Sequence, residues 1–192
     1  MKRRQFINYS GITLGSLGLS FNKPSYALSQ LGSRPQILSG ISSGDAHQDG
    51  AIIWSRCDRP AKMWVEVSAS KNFKTSHIFS GANAMQDHDY NAKTVLHGLA
   101  PGEQWFYRVK FESLKDPGLM GEIQQGEFRT AESLESPAKR NIRFCWSGDT
   151  AGQGYGIDSN HGGMRSYHEI LKRRADFFIH CGDLIYADGP IS

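Results

Sequence analysis

The chain has 192 residues, of which 39% are hydrophobic and 11% aromatic, so it holds enough apolar material for a packed core. Its formal net charge of +3 arises from four cations in the first 27 residues, which contain no acid, and the remainder is slightly negative. Nucleic-acid binding through a global positive field is therefore excluded.

Residues 1–27 have the composition of an export signal. Arg3 and Arg4 stand together in a short basic segment, and a mildly apolar run diluted by Gly and Ser follows at 12–21. This run is too short to remain as a membrane anchor, and Ala27 ends a small-residue pattern suited to cleavage. The pattern Arg-Arg-x-Phe-Ile resembles the twin-arginine export signal. That resemblance implies the twin-arginine machinery as a partner and a periplasmic or secreted location.

Residues 28–130 are predicted to form an antiparallel β-sandwich. Short runs that alternate between apolar and polar residues are separated by turn residues, which is typical of such sandwiches. Their number and length suit an immunoglobulin or fibronectin type III domain. The predicted strands are 36–42, 51–57, 63–69, 75–80, 94–99, 104–111 and 122–130.

The sixth of these strands has a clear apolar face. Trp105, Tyr107, Val109 and Phe111 alternate with other residues along it, and we expect them to face the core. Residues 99–102 precede this strand and resemble the fibronectin type III turn that leads into a corner tyrosine, with the leucine closing the strand before. Trp105 stands in the place of that tyrosine, so the indole N–H is the donor that could replace the usual hydroxyl bond to the backbone.

A change of character after the sandwich predicts a second domain. Residues 131–140 are polar, contain a proline and lack periodicity, which is typical of a linker. In 141–192, an apolar run at 141–146 is followed by a Gly-rich loop, helical spacing at 164–174 and a second apolar run at 177–181. This order predicts a parallel βαβ unit buried on both faces. The predicted fold class is thus mixed, a β-sandwich followed by the start of an α/β domain.

An acidic residue follows each of the two apolar strands, Asp149 after the first and Asp183 after the second. Ligands bind beyond the carboxyl ends of parallel strands, and neighbouring strands lie about 4.8 Å apart, so we expect both carboxylates to reach a common point. A pair of metal ions needs such oxygen donors, one of them bridging. Gly148 and Gly182 precede the acids and are expected to let the backbone turn sharply.

Tyr186 lies three residues beyond Asp183. A phenol with an ordinary pKa of about 10 binds a metal at neutral pH only when a strongly Lewis-acidic ion deprotonates it, which favours ferric iron over zinc or magnesium. The alternative is that Asp149 and Asp183 cap helices or turns and that Tyr186 packs against its neighbours.

Two segments resemble the opening of the catalytic domain of the PhoD-like alkaline phosphatase family, which belongs to the metallophosphoesterases, and more distantly the purple acid phosphatases. They are Trp-x-Gly-Asp-Thr-Ala-Gly-Gln-Gly at 146–154 and Phe-Phe-Ile-His-x-Gly-Asp-x-Ile-Tyr-Ala-Asp-Gly at 177–189. Residues 43–45, 53–56 and 98–102 resemble the sandwich that precedes this domain in the family.

The resemblance implies an exported, metal-dependent phosphatase or phosphodiesterase of the alkaline phosphatase D type, which hydrolyses phosphate esters by a metal-bound hydroxide. It implies that Asp149 binds the first metal, that Asp183 bridges two metals and that Tyr186 binds ferric iron. The implied cofactors are two or more metal ions, Fe³⁺ with Ca²⁺, with Zn²⁺ or Mn²⁺ as alternatives. Family members complete the site with an Asn-His motif and later histidines, whereas this chain ends at Ser192. We therefore expect an N-terminal fragment with little or no activity alone.

Weaker candidates for contact with a substrate phosphate are Asn160 and His161 in the Gly-rich loop and Arg165 near the helix start. A solvated loop and a solvated helix face are the simpler interpretations of these residues. His180 is expected to be a hydrogen-bonded core histidine rather than a ligand. No residue is assigned as a nucleophile.

The rival interpretation is a secreted sandwich module that binds glycan or protein without catalysis. It is supported by the aromatic content, including Trp54, Trp64 and Trp105. Strand alternation is expected to turn most of these rings inward, which favours a role in the core over a binding platform.

Overall fold

The computed structural model describes residues 34–136, 140–151, 160, 163–184 and 186. The predicted leader with Arg3 and Arg4 and the candidate His161 lie outside the described residues. The elements, in chain order, are β1 (Ile37–Gly44), β2 (Ala51–Cys57), β3 (Ala61–Ser68), β4 (His77–Ala84), β5 (Asn91–Leu96), β6 (Gln104–Ser113), β7 (Gln124–Arg129), β8 (Phe144–Ser147), α1 (Arg165–Lys172) and β9 (Phe177–His180).

The first seven strands form a two-sheet sandwich. Strands β1, β2 and β5 make one antiparallel sheet in that order, and β4, β3, β6 and β7 make the other. Both sheets contribute to one hydrophobic core. The predicted sandwich followed by an α/β segment is confirmed, and the strand order suits the fibronectin type III class.

Strict alternation of side chains builds the core of the sandwich. Successive residues of β2 alternate between buried and half-buried positions, and β3 repeats the pattern. On β6, the four side chains predicted to face inward are all buried. Phe106 lies on the opposite face of β6, where the Lys71 ammonium covers its ring at 5.2 Å from the centroid. The largest fully buried apolar side chains are Phe111, Ile53, Met63, Leu96, Val65, Val67 and Val109.

The fifth strand is displaced from its predicted position. Strand β5 begins at Asn91 and ends at Leu96, whereas the pattern predicted 94–99. Gly98 has a φ of 72°, a left-handed conformation that ends the strand pairing. Leu99 is still buried, but its N–H donates to the carbonyl of Asp49 at 2.9 Å and not to a strand partner. The expectation that Leu99 closes the strand is therefore wrong, because this apolar side chain enters the core from the following loop.

Trp105 donates the corner hydrogen bond. Its indole Nε1 lies 3.3 Å from the carbonyl oxygen of Ala100, five residues upstream. The Thr130 hydroxyl also donates to this carbonyl, at 2.7 Å. Gly102 has a φ of 69° in the intervening Pro-Gly turn. The indole N–H thus replaces the hydroxyl that a corner tyrosine would supply.

Two of the three tryptophans considered above point outward, which corrects the expectation that most face the core. Trp54 donates to the Asn91 side chain at 3.0 Å on the outer face of the three-stranded sheet. Trp64 donates to Glu112 at 2.8 Å on the outer face of the four-stranded sheet. Because the two rings lie on opposite outer faces of the sandwich, they do not form one binding platform.

Strands β8 and β9 run parallel and pair directly, with Phe144 opposite Phe177 and Ser147 opposite His180. Helix α1 lies against one face of the strand pair. There the rings of Tyr167 and Phe178 pack edge to face, with their centroids 5.9 Å apart. The predicted βαβ unit is thus present, but burial on both faces is not observed within the described residues. The apolar side chains of the other face are 44% to 70% exposed and comprise Phe144, Trp146, Phe177 and Ile179.

An ion-pair network connects the end of the sandwich to the β8–β9 unit. The Arg140 guanidinium lies 2.8 Å from Asp176 and 4.0 Å from Glu132. The backbone N–H of Arg143 donates to the second oxygen of Asp176 at 2.9 Å. These hydrogen bonds hold the pKa of Asp176 below its ordinary value.

Among the described residues, no helix combines the length and apolar character needed to cross a bilayer.

Candidate metal centre

The candidate site lies where β8 and β9 end. Pairing continues beyond the strands, because the N–H of Asp149 donates to the Gly182 carbonyl at 3.0 Å. The N–H of Thr150 then donates to the Asp183 carbonyl at 2.7 Å. Two backbone hydrogen bonds therefore join the loop that carries one acid to the loop that carries the other, at the carboxyl edge where parallel sheets bind ligands.

Each acid occupies a left-handed backbone conformation. Asp149 has a φ of 51° and Asp183 a φ of 54°. Aspartate visits this region more readily than most residues, although the conformation costs free energy that the surroundings must offset. Gly182 has a φ of 129°, which requires glycine. Gly148 has no such φ and its Cβ position is open, so the expected sharp turn before the first acid is made by Asp149 itself.

The side chain of Tyr186 is hydrogen-bonded to both acids. Its hydroxyl lies 3.2 Å from a carboxylate oxygen of Asp183. Desolvation of the phenol, its hydrogen bonds to Asp149 and Asp183, and the negative charge of both carboxylates raise the pKa of Tyr186 to about 12. The phenol is therefore protonated at neutral pH, and it donates to the acids.

These three groups supply hard oxygen donors only. Within the part of the chain that the structure describes, no three His, Cys, Asp or Glu side chains gather into a group that could hold a metal ion. Two carboxylates and one phenol nevertheless suit hard cations such as Ca²⁺, Mn²⁺ or Fe³⁺. The donor set fits a cation that displaces the phenolic proton, because the carboxylates that stabilise the protonated phenol would then share the ion with the phenolate.

A second set of side chains lies beside the two loops. Thr150 Oγ1 is 2.8 Å from His180 Nε2 and 2.8 Å from the hydroxyl of Tyr167 on α1. His180 is half-buried at the end of β9 and hydrogen-bonded, and it lies outside the hydrophobic core of the sandwich. Neither Thr150 nor Tyr167 belongs to a sequence pattern that by itself indicates a functional site. The only available signal was the position of Thr150 directly after Asp149.

The weaker candidates for substrate contact remain predictions. Arg165 is the first residue of α1 and is exposed, as is Asn160. His161 belongs to the residues that are not described.

The described residues thus form a fibronectin-like sandwich followed by a parallel strand pair, and each strand of that pair is followed by an acid. Residues 23–132 match the family model described as PhoD-like phosphatase, N-terminal domain, and residues 144–192 match that of PhoD-like phosphatase. The first match covers more than half of the 192-residue chain. The chain belongs to the PhoD-like phosphatase family.

Individual relatives and solved structures are similar to this chain to different extents. Alkaline phosphatase D of Bacillus subtilis (strain 168) is 23% identical over 205 residues, which cover 98% of this chain and 32% of the relative. A solved structure of PhoD is 20% identical, with a TM-score of 0.58, over 79% of this chain and 28% of that one. A solution structure of a human fibronectin type III domain is 16% identical, with a TM-score of 0.38, over 72% of this chain and 100% of that one. This chain spans about a third of the curated relative's length.

Proposed function

We propose that this chain supplies the first ligands of a metal centre in an exported phosphatase or phosphodiesterase of the alkaline phosphatase D type. The observation that carries the proposal is the meeting of Tyr186 with Asp149 and Asp183 at the carboxyl ends of two neighbouring parallel strands. Membership of the PhoD-like phosphatase family supports phosphate esters as the substrate class.

Each of the three residues has a distinct proposed role. Asp149 would help to hold one metal ion, and Asp183 would help to hold both. Tyr186 binds the more Lewis-acidic ion, because a phenol whose pKa is about 12 gives up its proton at neutral pH only to a strongly polarising cation. Fe³⁺ with Ca²⁺ suits this donor set best, and Zn²⁺ or Mn²⁺ are the alternatives. When bound, such ions lower the pKa of water and neutralise the charge that develops on a phosphoryl group.

This chain's own residues prepare the site. The backbone hydrogen bonds between the two loops fix the spacing of the acids before a cation arrives, so little ordering is required on binding. The protonated Tyr186 hydroxyl occupies acceptor sites on the acids in the free protein. We propose that Asn160, His161 and Arg165 approach the substrate phosphate from the loop and the first turn of α1.

We propose further that Arg3 and Arg4 direct twin-arginine export to the periplasm or the exterior. Basic residues, an apolar run and a small-residue site in residues 1–27 support this proposal.

We expect little or no hydrolysis by the 192-residue chain alone. Three oxygen donors converge among the described residues, whereas a centre of two ions requires more ligands.

Equilibrium dialysis against Fe³⁺ and Ca²⁺ tests the proposal with wild type, Asp149→Asn and Asp183→Asn. Both substitutions keep the side-chain volume and remove a negative ligand, so each should reduce uptake by at least about tenfold. Asp87→Asn, at an exposed acid of the sandwich, is the matched control and should bind like wild type. Equal uptake by wild type and Asp183→Asn, together with retained glycan binding, would favour the binding-module interpretation.

A further inference from the structure

Three side chains form a continuous hydrogen-bonded chain beside the candidate metal centre. The N–H of Gly182 donates to His180 Nδ1 at 3.3 Å. On the other side of the ring, His180 Nε2 lies 2.8 Å from Thr150 Oγ1, which lies 2.8 Å from the Tyr167 hydroxyl. The chain therefore joins the loop after β8, the end of β9 and helix α1.

The donors and acceptors along this chain define one histidine tautomer. Because Nδ1 of His180 accepts from a backbone N–H, the ring proton lies on Nε2 and is donated to Thr150. The Thr150 hydroxyl is then free to donate to Tyr167. Every polar atom of the chain has a partner in this arrangement, so the chain is ordered in one direction.

The hydrogen bonds between His180, Thr150 and Tyr167 lie where they can restrain the two loops that carry the acids. Thr150 directly follows Asp149, and His180 lies three residues before Asp183. Both acids have left-handed backbones, a conformation that persists only when its surroundings hold it. The side-chain hydrogen bond between Thr150 and His180 connects the loop after β8 to the end of β9. It adds to the two backbone hydrogen bonds that already join the loops of the two acids.

We propose that His180 is a positioning residue of the metal centre, which acts through Thr150 and Tyr167 to hold the carboxylates of Asp149 and Asp183 at the spacing that cations require. The inference rests on the proposed function. The outer hydrogen bonds of metal sites act in this way, and their loss typically weakens metal binding by about 10- to 100-fold.

Mn²⁺ titration of the full 192-residue chain, followed by electron paramagnetic resonance, tests the proposal. His180→Ala and Thr150→Val should each raise the Mn²⁺ dissociation constant by about tenfold or more. The loss of Mn²⁺ affinity in the double variant should be smaller than the sum of the two single losses, because both substitutions break the bond between Thr150 and His180. Thr150→Ser keeps the hydroxyl and should therefore bind Mn²⁺ like wild type. Its comparison with Thr150→Val tests the hydrogen bond independently of any effect of His180→Ala on the fold.

Two controls separate failure of this inference from failure of the proposed function. His168→Ala, at an exposed histidine of α1, should bind Mn²⁺ like wild type. If Asp183→Asn binds Mn²⁺ as wild type does, the metal centre itself is wrong. If Asp183→Asn loses binding while His180→Ala and Thr150→Val retain it, the centre stands and the positioning role is wrong. Additive losses, or a Thr150→Ser variant no better than Thr150→Val, would also overturn the positioning role.

Discussion

The phenolic oxygen of Tyr186 lies 3.2 Å from a carboxylate oxygen of Asp183, at the end of a strand pair that brings Asp149 to the same place. In this position the phenol is a proton donor to two acids. The same position would place a phenolate beside both carboxylates once a cation replaced the proton.

Tyr186→Phe should abolish the visible charge-transfer absorption that Fe³⁺ acquires when a tyrosinate binds it. Because the pKa of Tyr186 is raised to about 12, Fe³⁺ binding to wild type near neutral pH should also release a phenolic proton that the variant does not release. Absorption spectra and proton release in weakly buffered solution measure both effects. Tyr90→Phe, in the sandwich, is the control and should keep both signals. A band that persists in Tyr186→Phe would assign the phenolate to another residue.

Asp176 should make part of the stability depend on pH in the acid range. Hydrogen bonds from the Arg143 backbone and the Arg140 guanidinium hold the pKa of Asp176 below its ordinary value of about 3.9. Its contribution is therefore complete above that ordinary value, and it is lost as the pH falls through the lower pKa of the folded state. Urea unfolding at several pH values should show a shallower acid decline for Asp176→Asn than for wild type. Parallel acid profiles would contradict this assignment.

Phe111→Ala should lower the free energy of unfolding by about 3 to 5 kcal/mol, because Phe111 is fully buried between the two sheets. Urea denaturation monitored by circular dichroism measures the change. Ile78→Ala, at a side chain that is 67% exposed, should change the value by less than about 0.5 kcal/mol. Equal effects of the two substitutions would mean that the core is misplaced.

Trp105→Phe should cost about 0.5 to 1.5 kcal/mol of unfolding free energy, because it removes one hydrogen bond and keeps a buried ring. The loss is limited because the Ala100 carbonyl still accepts from Thr130. Adding Thr130→Val removes that second donor, so the double variant should lose more than the sum of the single losses. Strict additivity in urea denaturation would show that the two donors do not share this carbonyl.

The sequence predicts the sandwich well because alternation along seven short strands is a local signal. It fails for Trp54 and Trp64, whose rings lie on the outer faces of β2 and β3. In β3, Lys62 and Glu66 lie on the same face of the strand as Trp64. Because burying those two charges would cost free energy, this face of the strand points outward. The charged neighbours of an aromatic residue were therefore a better guide to its direction than its size.

The two acids were predictable because parallel strands end at the same sheet edge. Their left-handed backbones were not, since nothing local in the sequence distinguishes Asp149 from an aspartate in an ordinary turn. The bond from Thr150 to His180 spans 30 residues and requires both the strand register and the position of α1. Such contacts follow from tertiary packing, which pattern analysis does not provide.

The most direct test of the central claim is the anomalous diffraction of the protein crystallised with Mn²⁺ or Fe³⁺. The account predicts an anomalous peak within about 2.0 to 2.6 Å of oxygens from Asp149 and Asp183, with the Tyr186 oxygen turned toward it. An ion bound elsewhere in the chain, with these three side chains still bonded only to one another, would contradict the account.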